Sequence, residues 1–191
     1  MNSIKDEKQK FRKEVLSKRG QLSEKEWIEK SNQIIQNLIS TDFFKKADTI
    51  HSYISMNSRR EVCTDDIFSV IFKNDKKAVV PITNFSDNTL SHAEITSESE
   101  LESNKWGVRE PKSTKAVDIT TLNLIIIPMV AADRNGNRLG YGKGFYDRFL
   151  KKTNGKKAGL VFDEFLYDKI PVEEFDIKLD VLITEKGVIY P

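Results

Sequence analysis

The run Leu124-Ile125-Ile126-Ile127, stopped by Pro128, constrains this chain more than any other stretch. Four successive bulky apolar residues with no polar alternation read as a strand covered on both faces. Such a strand belongs to the centre of a sheet that carries further structure above and below it. Around it, strands and helices alternate. Thr49 to Ile54, Ala78 to Pro81, Leu90 to Ile95, Ala158 to Phe162, Val181 to Thr184 and Val188 to Tyr190 read as strands. Thr64 to Lys73 and Phe145 to Lys152 read as helices. The pattern predicts an α/β fold: a three-layer α/β/α single domain over residues 1–191 with a mixed, largely parallel sheet. A chain of 191 residues buries enough core for one such unit without covalent staples.

Two helices precede the first strand. From Ile4 to about Lys18, Ile4, Phe11 and Val15 fall on one stripe. At about 100° per residue, Lys8, Arg12 and Arg19 lie within roughly 40° of one another on its border. Cations so placed either lean into a neighbouring cleft or form an ordinary solvated face. Ser23 and Glu26 form a capping box that opens a second helix, whose Trp27, Ile28, Ile34, Ile35, Leu38 and Ile39 make a core stripe. Ser97 to Asn104 and Lys112 to Thr120 read as surface loops.

Charge narrows the partners. With 31 Lys and Arg against 29 Asp and Glu, the chain is neither basic throughout nor an acidic disordered tail, so any anion site must be local. The single cysteine, Cys63, rules out an internal disulfide framework and a thiolate metal cluster. No apolar run reaches the roughly 18 residues of a membrane span, and MNSIKDEKQK has no apolar signal core. The expectation is a cytoplasmic protein, a monomer, with a small-molecule substrate and no membrane or nucleic-acid partner.

The local anion site is legible in the glycines. Four of the nine lie between Gly136 and Gly144, where uniform scattering predicts fewer than one. The segment DRNGNRLGYGKGFYDRFL spans 133–150, and from Arg134 to Lys157 eight Lys or Arg accompany one acid, Asp147. Glycine admits positive φ and close approach of backbone N–H groups to a ligand. Gly140, Gly142 and Gly144 run into a helix start, where N–H groups are unpaired. Arg138 and Lys143 add full charges, which together describe a phosphate cradle. Asp147 fits poorly in an anion site but well as a ligand for Mg²⁺ bridging phosphates. Lys143 is followed by glycine rather than Ser or Thr, so this is no P-loop, and GYGKG is not GxGxxG. A tight turn with solvated charges is the competing reading.

The stretch LIIIPMVAADRNGNRLGYGKGFYDRF resembles the hallmark of the 5-formyltetrahydrofolate cyclo-ligases (5,10-methenyltetrahydrofolate synthetases): a central strand ending in proline, an aspartate and a glycine, then RLGxGxGxYDR. KQKFR near the N-terminus, Glu61 in REVCT, WGVREP at 106–111 and FDIKLDVLITEKG follow in the family's order. The resemblance implies a fold like that of the sugar-phosphate isomerase and CoA-transferase superfamily. It also implies ATP- and Mg²⁺-dependent cyclisation of 5-formyltetrahydrofolate, with release of ADP and phosphate. N10 must displace the formyl oxygen, a poor leaving group until a phosphoryl group is attached, so the task is in-line positioning and charge neutralisation. No nucleophilic side chain is needed, and the absence of a Ser/His/Asp set, with only His51 and His92 present, agrees with that.

Carried over residue by residue, the resemblance implies ATP contacts at Lys8, Arg12 and the loop Arg138, Leu139, Gly140, Tyr141, Gly142, Lys143, Gly144, Phe145 and Tyr146. Of these, Lys143, Arg138 and Tyr146 serve the chemistry. Asp147 and Asp176 match the Mg²⁺ positions. Glu61 matches the acid that recognises the pterin; as a helix N-terminal acid it would also be favoured by the dipole. Met56 and Tyr146 complete the folate side, and Trp106 is either a folate-stacking ring or a core residue. The sequence departs from the family at Phe145, where tyrosine is common, at Asn123 and Ala132, at Ile82 and Thr83 after Pro81, and in a longer ISMNSRR segment. Two other functions stay open from the residues alone. One is a sugar-phosphate isomerase or CoA-transferase relative, which needs a general base. The other is a nucleotide- or RNA-binding module built on the 134–157 cations and their interleaved aromatics.

Overall fold

The computed structural model describes residues 3–104, 108–112, 115 and 117–191. Its helices are α1 (Ile4–Arg19), α2 (Glu24–Ser40), α3 (Asp42–Lys46), α4 (Asp65–Lys73) and α5 (Phe145–Leu150). The strands are β1 (Thr49–Ser52), β2 (Lys77–Asn84), β3 (Thr89–Ile95), β4 (Leu101–Ser103), β5 (Arg109–Pro111), β6 (Leu124–Ile127), β7 (Ala131–Asp133), β8 (Arg138–Leu139), β9 (Lys156–Leu160), β10 (Leu166–Tyr167), β11 (Val181–Thr184) and β12 (Gly187–Ile189). The main sheet has seven strands in the order β12-β11-β9-β6-β1-β2-β3. Its five inner strands are parallel, and β12 and β3 close the edges antiparallel. This is the mixed, largely parallel sheet the alternation predicts.

All four residues of β6 are 0% exposed, so both faces of the sheet centre are covered. Chain direction explains how. The crossover β1-α4-β2 runs one way across the sheet and β6-α5-β9 the other, so right-handed connections put α4 and α5 on opposite faces. Helix α2 packs on β11, β12 and α4 through Trp27, Ile34, Ile35 and Leu38, while Ile28 and Ile39 are half-buried at the stripe's edge. Both long helices open with the reciprocal capping box, at Ser3/Asp6 and Ser23/Glu26. No described helix is long and apolar enough to cross a membrane.

Several expected boundaries move. Pro81 does not end its strand: β2 runs on to Asn84, with Pro81 opposite His92 of β3 and beyond Val79, the last residue paired with β1. The predicted loop at Ser97 to Asn104 contains β4, which pairs with β5 in a two-stranded ribbon. Helix α3 and the small sheet β10-β7-β8 carry too few residues for a period to register. Helix α5 ends at Leu150, two residues early. Asn123, where the family has aspartate, accepts the N–H groups of Asp48 (3.0 Å) and Thr49 (2.9 Å) through Oδ1, so the clamp at the start of β1 needs an acceptor oxygen, not a charge.

Candidate active site

Strand order reverses between β1 and β6: from β1 the chain moves to β2, and from β6 it moves the other way to β9. In open α/β sheets the crevice outside the carboxyl ends of two such strands is where ligands bind. The segment leaving β1 carries Met56 and Glu61. The segment leaving β6 carries Arg138 and the glycine-rich loop. Topology therefore brings two distant sequence motifs to one place.

Helix α1 borders this crevice with its cation stripe, and all three cations turn inward. Lys8 is 7% exposed and donates to Glu173 (2.8 Å) and to Asp176 (2.5 Å). Arg12 donates from Nε to the Gly140 carbonyl (2.7 Å), and partial burial lowers its pKa. Arg19 is 2% exposed and donates to the carbonyls of Arg59 and Met129 and to the Tyr141 hydroxyl (2.6 Å). The solvated-face reading is excluded. Arg19 and Glu173 are the residues that sequence reasoning left out of the site; the stripe signalled the first, and proximity to Asp176 in VEEFD was the only hint of the second.

Within the loop, Gly142 (φ 89°) and Gly144 (φ 68°) occupy left-handed backbone, whereas Gly140 does not. A Cβ on residue 142 would also sit 3.1 Å from the Arg12 guanidinium carbon. Gly142→Ala should therefore cost about 1–2 kcal/mol of stability and displace Arg12. Chemical denaturation and nucleotide titration of the variant check both. Leu139 sends its side chain into the core, leaving only its backbone to a ligand. Arg138 is 5% exposed and donates to Asp147 (2.5 Å). Burial pulls its pKa down, and Asp147 and Asp176 both oppose that pull, so the two carboxylates face one guanidinium. Lys143 is exposed and makes no ion pair among the described residues.

Glu61 is 5% exposed and fixed from several sides. Trp27 donates to its carbonyl (2.5 Å), and the Met56 N–H donates to its Oε2 (2.7 Å). Met56 thus meets the site through its backbone. Burial, then the charge of Glu61, pushes the Tyr141 and Tyr146 hydroxyls well above the ordinary phenol value. Both phenols therefore remain protonated donors beside a carboxylate. The extra length of ISMNSRR is taken up by a single 3₁₀ turn at Asn57–Arg59 and a left-handed Arg60 (φ 50°). Phe145 packs edge-on against Phe85, an apolar role that needs no hydroxyl. Trp106 lies outside the described residues.

Behind Tyr146 stand two residues given no role by the sequence. His51, 0% exposed on β1, and His92 on β3 meet edge-on at 5.2 Å, with Phe149 of α5 against both. Burial holds both imidazoles neutral, His92 with a pKa of about 4. A histidine whose folded pKa lies below its unfolded value binds its proton more readily when unfolded. Stability is therefore undiminished above about pH 6.5 and declines as pH falls from there toward 4. Urea unfolding of His92→Leu across that window should show a flatter decline than the parent chain. Cys63 is half-buried, and burial raises its thiol pKa. Cys63→Ala should leave turnover within about twofold, as measured by steady-state rates.

The carboxylates suit Mg²⁺. Among the described residues no group of three or more His, Cys, Asp or Glu could hold a metal. Asp147 and Asp176 nevertheless supply two hard oxygen donors beside cations suited to phosphate. Mg²⁺ uses one or two carboxylates and completes its shell with phosphate and water, so this donor set fits. Of the 134–157 residues, Arg138 is buried, Lys157 lies 3.8 Å from Asp180, Arg148 reaches back to the Asn88 carbonyl, and Phe149 is 4% exposed.

Comparison with known proteins gives a consistent result. Residues 4–185 match the model of the 5-formyltetrahydrofolate cyclo-ligase family. The chain is 30% identical to the mouse 5-formyltetrahydrofolate cyclo-ligase, over 96% of each chain. It is 29% identical to the Escherichia coli K12 protein of that name, over 91% of this chain and 98% of the other. Among solved structures it resembles the Aquifex aeolicus 5,10-methenyltetrahydrofolate synthetase (TM-score 0.85, 35% identity, 96% of this chain and 92% of that one). It also resembles the Mycoplasma pneumoniae synthetase (TM-score 0.76, 25% identity, 93% and 98%).

Proposed function

The chain belongs to the 5-formyltetrahydrofolate cyclo-ligase family, and from that premise we propose that it closes 5-formyltetrahydrofolate to 5,10-methenyltetrahydrofolate with ATP and Mg²⁺, releasing ADP and phosphate. One observation carries the ATP and metal part of this reading. Each carboxylate suited to Mg²⁺ is paired with a cation suited to phosphate, Asp147 with Arg138 and Asp176 with Lys8, in one cluster beside the glycine-rich loop.

In this mechanism Lys8, Arg12, Arg138 and Lys143, with the backbone N–H groups of residues 139–146, hold the triphosphate. Asp147 and Asp176 hold the metal, which supplies charge neutralisation to the phosphates when bound. Glu61 accepts hydrogen bonds from the amino-pyrimidine edge of the pterin. Tyr146 donates where the formyl oxygen meets the γ-phosphoryl group. That oxygen attacks phosphorus and ADP leaves. N10 then forms its bond to the formyl carbon, the carbon–oxygen bond breaks, and inorganic phosphate departs with the oxygen while N10 gives up its proton. The residues neutralise and align; none forms a covalent bond.

The purified chain with 5-formyltetrahydrofolate, ATP and Mg²⁺ should develop the near-ultraviolet absorbance of the methenyl product. Chelation of Mg²⁺ or omission of ATP should abolish it. A folded preparation that gives no product under the full conditions overturns the reading.

A further inference from the structure

Five buried side-chain polar atoms among the described residues have no hydrogen-bond partner, and all five belong to one neighbourhood. They are both ring nitrogens of His51, Nδ1 of His92, Nε of Arg138 and the hydroxyl of Tyr146. The rings form a chain. His51 lies 5.2 Å from His92 and 6.0 Å from Tyr146, centroid to centroid, and Phe149 packs against all three at 4.9, 4.2 and 6.0 Å. Arg138 adjoins Tyr146 from the cradle side, since it donates at 2.5 Å to Asp147, the next residue along α5. Buried donors and acceptors are rarely left unpaired, because they forfeit their hydration. Five convergent ones mark a shared hydrogen-bonded interior rather than scattered lapses.

The donor and acceptor inventory closes on itself. Arg138 Nε offers a hydrogen. The Tyr146 oxygen accepts that one and a second from the histidine side, which leaves the hydroxyl's own hydrogen for the formyl oxygen. A neutral imidazole at His51 donates toward Tyr146 from one nitrogen and accepts at the other, and His92 Nδ1 carries the hydrogen directed at it. Every atom is satisfied in the order Arg138, Tyr146, His51, His92, provided both imidazoles are neutral.

We propose that Arg138, Tyr146, His51 and His92 form a water-bridged hydrogen-bond relay running from the phosphate cradle into the sheet, in which the two histidines are positioning residues for the Tyr146 hydroxyl. Water bridges are required because none of these pairs is in direct hydrogen-bond contact, and a buried water needs two or more polar partners. The proposal rests on the cyclo-ligase reading only for its turnover measurement.

Nitrogen-15 NMR of the full chain, labelled at histidine, tests the relay without any reaction. The expected result near neutral pH is a single neutral tautomer for His51, with one slowly exchanging ring proton. Averaged ring nitrogens or a rapidly exchanging proton overturn the relay. Kinetics give the second test. His51→Leu should lower kcat about tenfold with the KM for ATP within about twofold, and His51→Asn, which keeps a donor and an acceptor, should recover most of that loss. Equal losses in both variants, or none in either, overturn the positioning role. If His51→Leu does not fold, His92→Leu and the parent chain's NMR decide the matter. Absence of turnover in the parent chain defeats the cyclo-ligase reading and leaves the NMR result to judge the relay.

Discussion

Lys143→Ala should lower kcat about 10²–10³-fold while changing unfolding free energy by no more than about 0.5 kcal/mol. The two effects separate because Lys143 is exposed and makes no ion pair among the described residues, so its removal disturbs little packing. Its role begins only when a transferring phosphoryl group needs charge neutralised beside it. Asp147→Asn should behave differently. It also lowers activity, but it strips the counter-charge from Arg138, a buried guanidinium, and so destabilises the fold measurably. Steady-state kinetics and urea unfolding on both variants check this contrast. Unchanged turnover in both would make the loop a structural turn.

The largest expected loss of stability follows from Asp133→Ala, about 3 kcal/mol or more. Asp133 is 0% exposed, and its carboxylate accepts from the N–H groups of Asn135 (3.0 Å), Asn137 (3.1 Å) and Ile170 (3.3 Å) and from the Asn137 side-chain amide. Removing it leaves several donors unpaired at once, and bonds to a charged acceptor are the stronger kind. Against a typical total of about 5–15 kcal/mol, the loss is a large fraction. It should reach function as well, because Asp133 ties the turn before Arg138 to the segment leading to Glu173 and Asp176. Urea midpoints compared with nucleotide affinity test both. A loss under about 1 kcal/mol would mean that the turn holds itself.

The fold was legible where a period had room to repeat. The α1 and α2 helices, the capping box that opens α2, the buried β6 strand and the largely parallel sheet all follow from local pattern. Helix α3, the β4-β5 ribbon and the three-stranded β10-β7-β8 sheet escaped, since two to five residues cannot display a period and their pairing partners are distant in sequence. Pro81 misled for a related reason: whether proline breaks a ladder depends on how far the neighbouring strand extends, which its own sequence does not record.

The site divides the same way. The glycine-rich loop announced itself, because glycines spaced at alternate positions with cations answer to a backbone requirement that is local. The cation stripe of α1 was visible, but its direction was not: a helix-wheel position at the border of an apolar face serves solvent or a cleft equally well. Only the docking of α1 against the segment at 173–176 and the loop at 140–142 turns Lys8, Arg12 and Arg19 inward.

By itself, then, the sequence determined the layered α/β class, the family resemblance, and the chemistry available at the loop, since all three rest on residue type and short spacing. The tertiary structure alone decided which charges meet. Lys8 finds Glu173 and Asp176 from more than 160 positions away, and Glu61 faces Tyr141 and Tyr146 across the sheet's switch point. It also put His51 and His92 in contact behind Tyr146. Electrostatics and hydrogen bonding act through a few ångströms of space, and separation along the chain carries no measure of that distance.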